Sequence, residues 1–253
     1  MNMDEHRLSC VQQMKTLIDC LGKFSSFKEI RTEPRKFYTF LECINSYNMG
    51  MAVKFGVHSV LYYNCLKNLS TSQHQIYMER ALTFEDIGCF ALTEFGHGSN
   101  VRDIRLTATF DEKNQEFILH SPNFDAYKWW IGGAAKTANM SCVFAQLYVK
   151  GIAQGVHCFL VNIRDKATHL PFPGVIIGDC GPKVGNEVID NGFIGFNNYR
   201  IPREGLLDRY SKVSEDGNFS SPITNPDTRF ATVLGALEEG RITIAAGSQV
   251  NLI

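Results

Sequence analysis

The segment C-F-A-L-T-E-F-G-H-G-S-N, residues 89–100, concentrates side chains that could do chemistry in a glycine-rich loop. It is not a dinucleotide fingerprint, because Val101 stands where the third glycine of G-x-G-x-x-G belongs. It is not a nucleophile elbow either, because Ser99 lacks glycines at the flanking positions. Two interpretations of the loop around His97 remain open: a turn between strands, or a loop whose glycines let backbone approach a ligand closely.

Both tryptophans of the chain stand together in K-W-W-I-G-G, residues 128–133. Consecutive side chains of a strand face opposite sides, so one indole can face the core while the other faces outward or faces a planar ligand. The glycines that follow leave backbone N–H and C=O groups accessible. An aromatic face beside bare backbone suits a flat heterocycle that is hydrogen-bonded at its edge. In the alternative interpretation, the aromatic side chains fill the core beside a β-bulge and contact no ligand.

A third segment, residues 178–204, is rich in glycine turns, and we interpret its Lys183 and Arg203 as solvated charges. The eight cysteines form no C-x-x-C pair, and no histidine spacing completes a zinc site. The spacing therefore predicts buried free thiols and no metal site. The opening residues, M-N-M-D-E-H-R-L-S-C, do not resemble a signal peptide, which favours a reducing compartment.

The three segments must be positioned by helices and strands, and the distribution of glycine and proline separates the helical region of the chain from the strand region. Three glycines and one proline precede residue 88, whereas eighteen glycines and seven prolines follow from there. Helix interiors exclude both residue types, and turns between strands use them. The pattern predicts an α+β chain with a helical N-terminal domain over 1–87 and a β-barrel-like middle domain over 88–210. Residues 211–253 are predicted to be a linker and the start of a helical C-terminal domain.

Two local patterns refine this prediction. Thr71 has the character of an N-cap for a helix that runs through Ile76 to Leu82. The continuous apolar run S-C-V-F-A-Q-L-Y-V, residues 141–149, predicts a strand that is covered on both faces.

Four ordered motifs resemble the acyl-CoA oxidases, relatives of the flavin-dependent acyl-CoA dehydrogenases. They are T-E-F-G-H-G-S-N, K-W-W-I-G-G, G-P-K-V-G at 181–185 and N-Y-R-I-P-R-E at 198–204. The similarity spans roughly residues 45–250. It implies the acyl-CoA dehydrogenase/oxidase fold, with FAD as cofactor, acyl-CoA and O2 as substrates, and trans-2-enoyl-CoA and H2O2 as products. It also implies fatty acid β-oxidation in the peroxisome and a homodimer.

The resemblance also assigns residues to the flavin. The position of Thr93 offers a hydroxyl to the isoalloxazine, and the position of Gly132 offers backbone. Ser99 matches a loop position that contacts the thioester ligand. Dehydrogenase relatives usually carry Thr where Gly132 stands, so we hypothesise that the missing side chain leaves space for oxygen beside the ring. Ile131 departs from the proline of the oxidase motif.

The resemblance places the catalytic base, a Glu of the C-terminal helical domain, beyond Ile253. Glu238 and Glu239 precede that position, so no catalytic residue is expected within these 253 residues. A second hypothesis follows, in which the chain is a catalytically inactive binding or interaction module that retains the β domain.

Composition excludes other classes of protein. The chain has 25 Lys and Arg against 26 Asp and Glu, so no basic surface predicts a nucleic-acid partner. No stretch approaches the roughly 18 consecutive apolar residues of a membrane-spanning helix. Apolar residues make up 44% of the chain, enough for a sizeable core.

Overall fold

A computed structural model describes residues 2–250 of the chain. The helices, all but two of which precede the strands, are α1 (Met3–Leu21), α2 (Phe27–Thr32), α3 (Pro34–Tyr47), α4 (Met49–Gly56), α5 (Tyr63–Leu69), α6 (Gln75–Leu82), α7 (Pro226–Leu234) and α8 (Glu238–Val250). The strands are β1 (Gly88–Ala91), β2 (Thr107–Asp111), β3 (Glu116–His120), β4 (Lys128–Ile131), β5 (Met140–Val149), β6 (Ile152–Asn162), β7 (Val175–Asp179), β8 (Gly192–Phe196), β9 (Tyr199–Pro202), β10 (Lys212–Val213) and β11 (Phe219–Ser220). The predicted order of a helical part, a β part and a second helical part is confirmed.

Strand β5 organises the larger sheet. It pairs antiparallel with β6 along its length, and its other edge pairs parallel with β1 and then with β2. Strands β3 and β9 extend this sheet beyond β2, and β4, β8 and β7 form a second sheet. The Ser121 amide donates to the Phe196 carbonyl at 2.8 Å and ties the second sheet to the first. The two sheets together make a curled half-barrel.

The apolar run of β5 is covered on both faces, as its sequence predicts. Cys142 and Phe144 face the helices and belong to the core that the helices share with the sheet. Val143, Ala145 and Leu147 face the interior of the half-barrel. Alternation along the strand therefore places successive side chains in two different cores.

A π-helical segment, Val57–Tyr62, joins α4 to α5 and packs against β1. The two backbones approach so closely that a Cβ added at Gly88 would lie 2.1 Å from the Tyr62 ring. Only glycine fits at this crossing. A π segment inside a helix often marks a functional site, and this one packs on β1, the strand that leads into T-E-F-G-H-G-S-N.

Two local predictions need adjustment. Thr71 does precede the predicted helix, but a 3₁₀ turn at Ser72–His74 comes between the cap and α6. Residues 211–228 are not a plain linker, because they contain the β10–β11 hairpin and the first turn of α7. Val213 in that hairpin is buried in the core of the half-barrel, and this burial holds a polar segment in place. Among the described residues, no helix has the length and apolar character needed to cross a membrane.

Candidate functional site

The turn after β1 is fixed by a buried ion pair. The Glu94 carboxylate accepts hydrogen bonds from the amides of Arg105 and Leu106 at 2.6 and 3.0 Å. Lys128 Nζ donates to the same carboxylate at 3.0 Å and to the Leu92 carbonyl at 3.0 Å. Burial lowers the pKa of Lys128 to about 8, although Glu94 opposes this shift. The T-E and K-W-W motifs are thus joined by their own charged residues.

Thr93 lies next to this pair, half-buried at the end of the strand. Its hydroxyl donates to the Trp129 carbonyl at 2.9 Å, and the Trp129 amide donates to the Thr93 carbonyl at 3.0 Å. The hydroxyl oxygen keeps lone pairs that can accept a further hydrogen bond. The Trp129 indole stacks on Phe193, with the ring centres 5.5 Å apart.

Trp130 points away from that aromatic cluster. Its φ of +64° lies in the left-handed region, and its side chain is 53% exposed. Left-handed backbone at a residue other than glycine costs about 1–3 kcal/mol and concentrates at binding sites. The register shifts between Lys128 and Ile131, which agrees with the β-bulge of the alternative interpretation. One tryptophan therefore packs inside, and the other faces open space.

A second buried ion pair fixes the loop after the double glycine. Asp190 accepts hydrogen bonds from the amides of Lys136 and Thr137, both at 2.8 Å, and from the Thr137 hydroxyl at 2.9 Å. Lys54 of α4 forms an ion pair with the same carboxylate. Burial would raise the pKa of Asp190, but Lys54 and these donors outweigh it and lower the pKa.

Lys183 is not the solvated charge that its sequence context predicts. Its ammonium group donates to the carbonyl of Ile189 and to the side chain of Asn191. Asn191 in turn donates to the Trp130 carbonyl at 3.1 Å. Lys183 thus holds its own loop against the strand that carries Trp130.

One cavity of about 790 Å³ brings together residues from all three sequence segments. Thr93, Ser99 and Gly132 line it, as do Trp130 and Arg241. The residues that the resemblance assigned to flavin and thioester therefore share a single space. Their individual roles stay predictions.

Val57 of the π-helical segment stands where three cavities meet. It lines the 790 Å³ cavity, an apolar cleft of about 220 Å³ beside α3, α4 and α8, and a cavity of about 340 Å³ that reaches Gly133. A Cβ added at Gly132 would lie 3.0 Å from Val57 Cγ2. Val57 therefore fills part of the space that we expected the missing threonine side chain to leave for oxygen.

Sequence reasoning missed Val57 and both buried ion pairs. Lys54 and Asp190 are 136 residues apart, and no spacing rule joins them. The sequence signal that could have revealed a buried ion pair is a charged residue in apolar surroundings: Lys128 directly precedes two tryptophans. Glu239, which the resemblance does not assign as the base, lies 3.0 Å from the buried Arg31 and is held there.

Comparison with a protein-family model identifies the class of protein to which the chain belongs. Residues 89–199 match the family model "Acyl-CoA dehydrogenase, middle domain". That match covers nearly all of β1, the strands β2 to β8 and the first residue of β9, with the first two segments around the 790 Å³ cavity and most of the third. The fold is that of the acyl-CoA dehydrogenases and oxidases.

The most similar relatives narrow the class. Human "Peroxisomal acyl-coenzyme A oxidase 3" is 40% identical over 230 residues, which are 90% of this chain and 33% of that protein. "Acyl-coenzyme A oxidase 2, peroxisomal" of Arabidopsis thaliana is 40% identical over 97% of this chain and 36% of its own length. The chain belongs to the acyl-CoA oxidase family, and it spans about a third of the length of these relatives.

Solved structures agree with this assignment. Acyl-CoA oxidase 1 from Yarrowia lipolytica superposes with a TM-score of 0.87 at 32% identity, covering 99% of this chain and 35% of that one. Acyl-CoA oxidase-2 of Caenorhabditis elegans, solved bound with FAD, ascaroside-CoA and ATP, superposes with a TM-score of 0.82 at 32% identity, covering 94% of this chain and 34% of that one. The relatives named here are oxidases, which does not favour the interaction-module hypothesis.

Proposed function

We propose that this chain forms the helical N-terminal part, the flavin-contacting middle domain and the beginning of the helical C-terminal domain of an FAD-dependent acyl-CoA oxidase. The reaction converts acyl-CoA to trans-2-enoyl-CoA and reduces O2 to H2O2. Domain boundaries near residues 87 and 210 belong to this proposal. The observation that carries it is that Thr93 and Ser99 of one motif and Gly132 of another line one cavity.

The cavity fits the isoalloxazine ring. Its volume of about 790 Å³ lies within the range of small-molecule sites, roughly 300–1,000 Å³. Gly132 presents backbone without a side chain, and the exposed indole of Trp130 supplies an aromatic surface beside it. FAD, when bound, accepts a hydride from the substrate and passes the electrons to oxygen.

The chain's own residues prepare this site before any ligand arrives. Glu94 and Lys128 hold the strand end that carries Thr93, and Asp190 holds the loop that follows Gly132. Polar groups fixed in this way stabilise charge on a ring without reorganising. The Thr93 hydroxyl oxygen and the Gly132 backbone would hold the edge of the ring, and Ser99 on the loop would contact the thioester.

The apolar cleft of about 220 Å³ beside α3, α4 and α8 extends the proposal to the acyl chain. It shares Val53, Val57 and Leu61 with the larger cavity. An apolar tail could therefore leave the flavin site without crossing polar surface. A peroxisomal location and a homodimer, both implied by the family, complete the proposal.

Flavin titration tests the site directly. FAD is added to the purified chain while quenching of its fluorescence is followed. Saturable binding is expected, and Thr93→Val should raise the Kd by about 5- to 150-fold, the effect of one buried hydrogen bond of about 1–3 kcal/mol.

Matched variants separate contact from folding. Thr93→Ser keeps the hydroxyl that holds the Trp129 carbonyl and should restore tight binding. His97→Gln, in the same loop, should leave the Kd unchanged. If FAD binding is not saturable, or if Thr93→Val binds FAD as tightly as the wild type, the flavin assignment is wrong.

A further inference from the structure

Three cysteines that are far apart in sequence meet between the helices and the larger sheet. Cys65 lies on α5, Cys142 on β5 and Cys158 on β6. Their Sγ atoms all lie within 4.8 Å of one another. The three residues are 0%, 0% and 2% exposed, so the cluster is sealed inside the core.

The β5–β6 register explains why two of them share a face. Cys142 pairs with Leu160, and Phe144 pairs with Cys158, so the two cysteines are diagonal neighbours across the strands. Both belong to the core that the helices cover, where Cys65 meets them. The cluster lies on the opposite face of β5 from the side chains that fill the half-barrel.

We propose that Cys65, Cys142 and Cys158 form a three-coordinate binding site for copper(I). Three sulfur ligands around one ion, each about 2.3 Å from it as zinc thiolates are, would stand about 4.0 Å apart in a trigonal plane. The cluster needs to contract by less than about 1 Å to reach that geometry.

The ligand set selects the metal. Thiolates are soft donors that favour Cu(I), Zn(II) and iron–sulfur clusters. Structural zinc and iron–sulfur clusters call for four protein ligands, and among the described residues the cluster has three His, Cys, Asp or Glu members. Copper(I) is satisfied by three. Binding displaces thiol protons to solvent, and no electrons are transferred.

The three thiols differ in how readily they ionise, because burial raises the pKa values of Cys142 and Cys158 well above their ordinary value, whereas the pKa of Cys65 is lowered. Burial would raise the pKa of Cys65, but hydrogen bonds from the thiols of Cys142 and Cys158 lower it. Burial raises the pKa of Cys158, and the ammonium of Lys128 opposes this rise. A buried cation near the cluster therefore compensates part of the negative charge that the loaded site would carry.

Copper(I) added anaerobically to the purified chain, in competition with a chromogenic copper(I) chelator, tests the proposal. The wild type should retain one equivalent, and X-ray absorption should show three sulfur neighbours. Removing one ligand, as in Cys65→Ala, Cys142→Ala or Cys158→Ala, should weaken copper binding at least about 100-fold. That is the upper end of the affinity losses seen when a group that hydrogen-bonds to a metal ligand is removed.

The matched control is Cys20→Ser/Cys43→Ser, which removes the two exposed thiols and should retain copper as the wild type does. Circular dichroism shows whether each core variant folds. If a core variant does not fold, the proposal is tested by the wild type alone, through the number of copper ions bound per chain and the number of sulfur neighbours of each ion. Fewer than three sulfur neighbours, loss of binding in the exposed-thiol control, undiminished binding in a folded Cys65→Ala variant, or oxidation of the cluster to a disulfide would overturn the proposal.

Discussion

The two buried ion pairs that flank the cavity are built alike but join different parts of the molecule. Glu94–Lys128 connects two segments of the middle domain that are 34 residues apart. Lys54–Asp190 connects a helix of the N-terminal part to the loop before β8, across 136 residues. Each carboxylate also accepts two backbone N–H groups. The first pair shapes a strand end within the half-barrel, whereas the second positions the helices against it.

This difference shows how the site is assembled. Removing one partner of a buried pair leaves an uncompensated charge, and the loss is large wherever the pair lies. Only the pair that spans the two parts also sets where α4, and with it Val57, stands relative to Gly132. The geometry beside Gly132 is therefore decided by a contact outside the flavin motifs.

Lys54→Met should have the largest effect. It leaves the buried Asp190 carboxylate without its cation, so we expect the free energy of unfolding to fall by about 3–5 kcal/mol. Urea denaturation measures this change. Lys15→Met is the control, because Lys15 pairs with Asp19 on an exposed helix surface and its removal should have little effect. Equal stabilities for the two variants would show that the Lys54–Asp190 pair does not hold the two parts together.

Lys128→Met should change the pH dependence of stability. The pKa of Lys128 is about 8 when folded against 10.5 as its ordinary value. Between these values the unfolded chain binds the extra proton, so this group makes stability rise with pH, by up to about 1.4 kcal/mol per pH unit. Urea denaturation at pH 8.0, 9.0 and 10.0 should show this rise in the wild type relative to the variant. If the free energy of unfolding changes with pH in the same way for the wild type and the variant, Lys128 is not the source of the rise.

The smallest expected effect on stability concerns the contact between Gly132 and Val57, which the Lys54–Asp190 pair positions. Gly132→Ala places a methyl group 3.0 Å from Val57 Cγ2, and we expect such overpacking to cost about 1 kcal/mol. Val57→Ala should relieve most of this cost, giving a coupling energy of about 0.5–1 kcal/mol in a double-mutant cycle followed by thermal unfolding.

Gly98→Ala is the matched control for this cycle, because an added Cβ at Gly98 meets open space. It should show no coupling to Val57→Ala. Additive effects of Gly132→Ala and Val57→Ala would mean that Val57 does not limit the space beside Gly132.

Local patterns in the sequence were sufficient for the order of helical and strand regions and for the family. Glycine and proline placement separated helical from strand regions, because both residues act on their own backbone. The apolar run at 141–149 predicted a strand covered on both faces for the same local reason. The motifs around Thr93, Ser99 and Gly132 carried the resemblance to acyl-CoA oxidases. The hairpin within 211–228 was missed, because its polar composition concealed one inward-facing residue, Val213.

The tertiary structure alone decided which distant groups meet. Val57 opposes Gly132 because α4 is held by Asp190, and no periodicity in the sequence encodes that distance. Cys65, Cys142 and Cys158 converge because the β5–β6 register and the docking of α5 bring three elements to one point. Spacing rules describe neighbours along a chain, whereas these contacts depend on how helices pack on a sheet. For that reason, the flavin motifs could be recognised from the sequence, and the ion pairs and the thiol cluster could not.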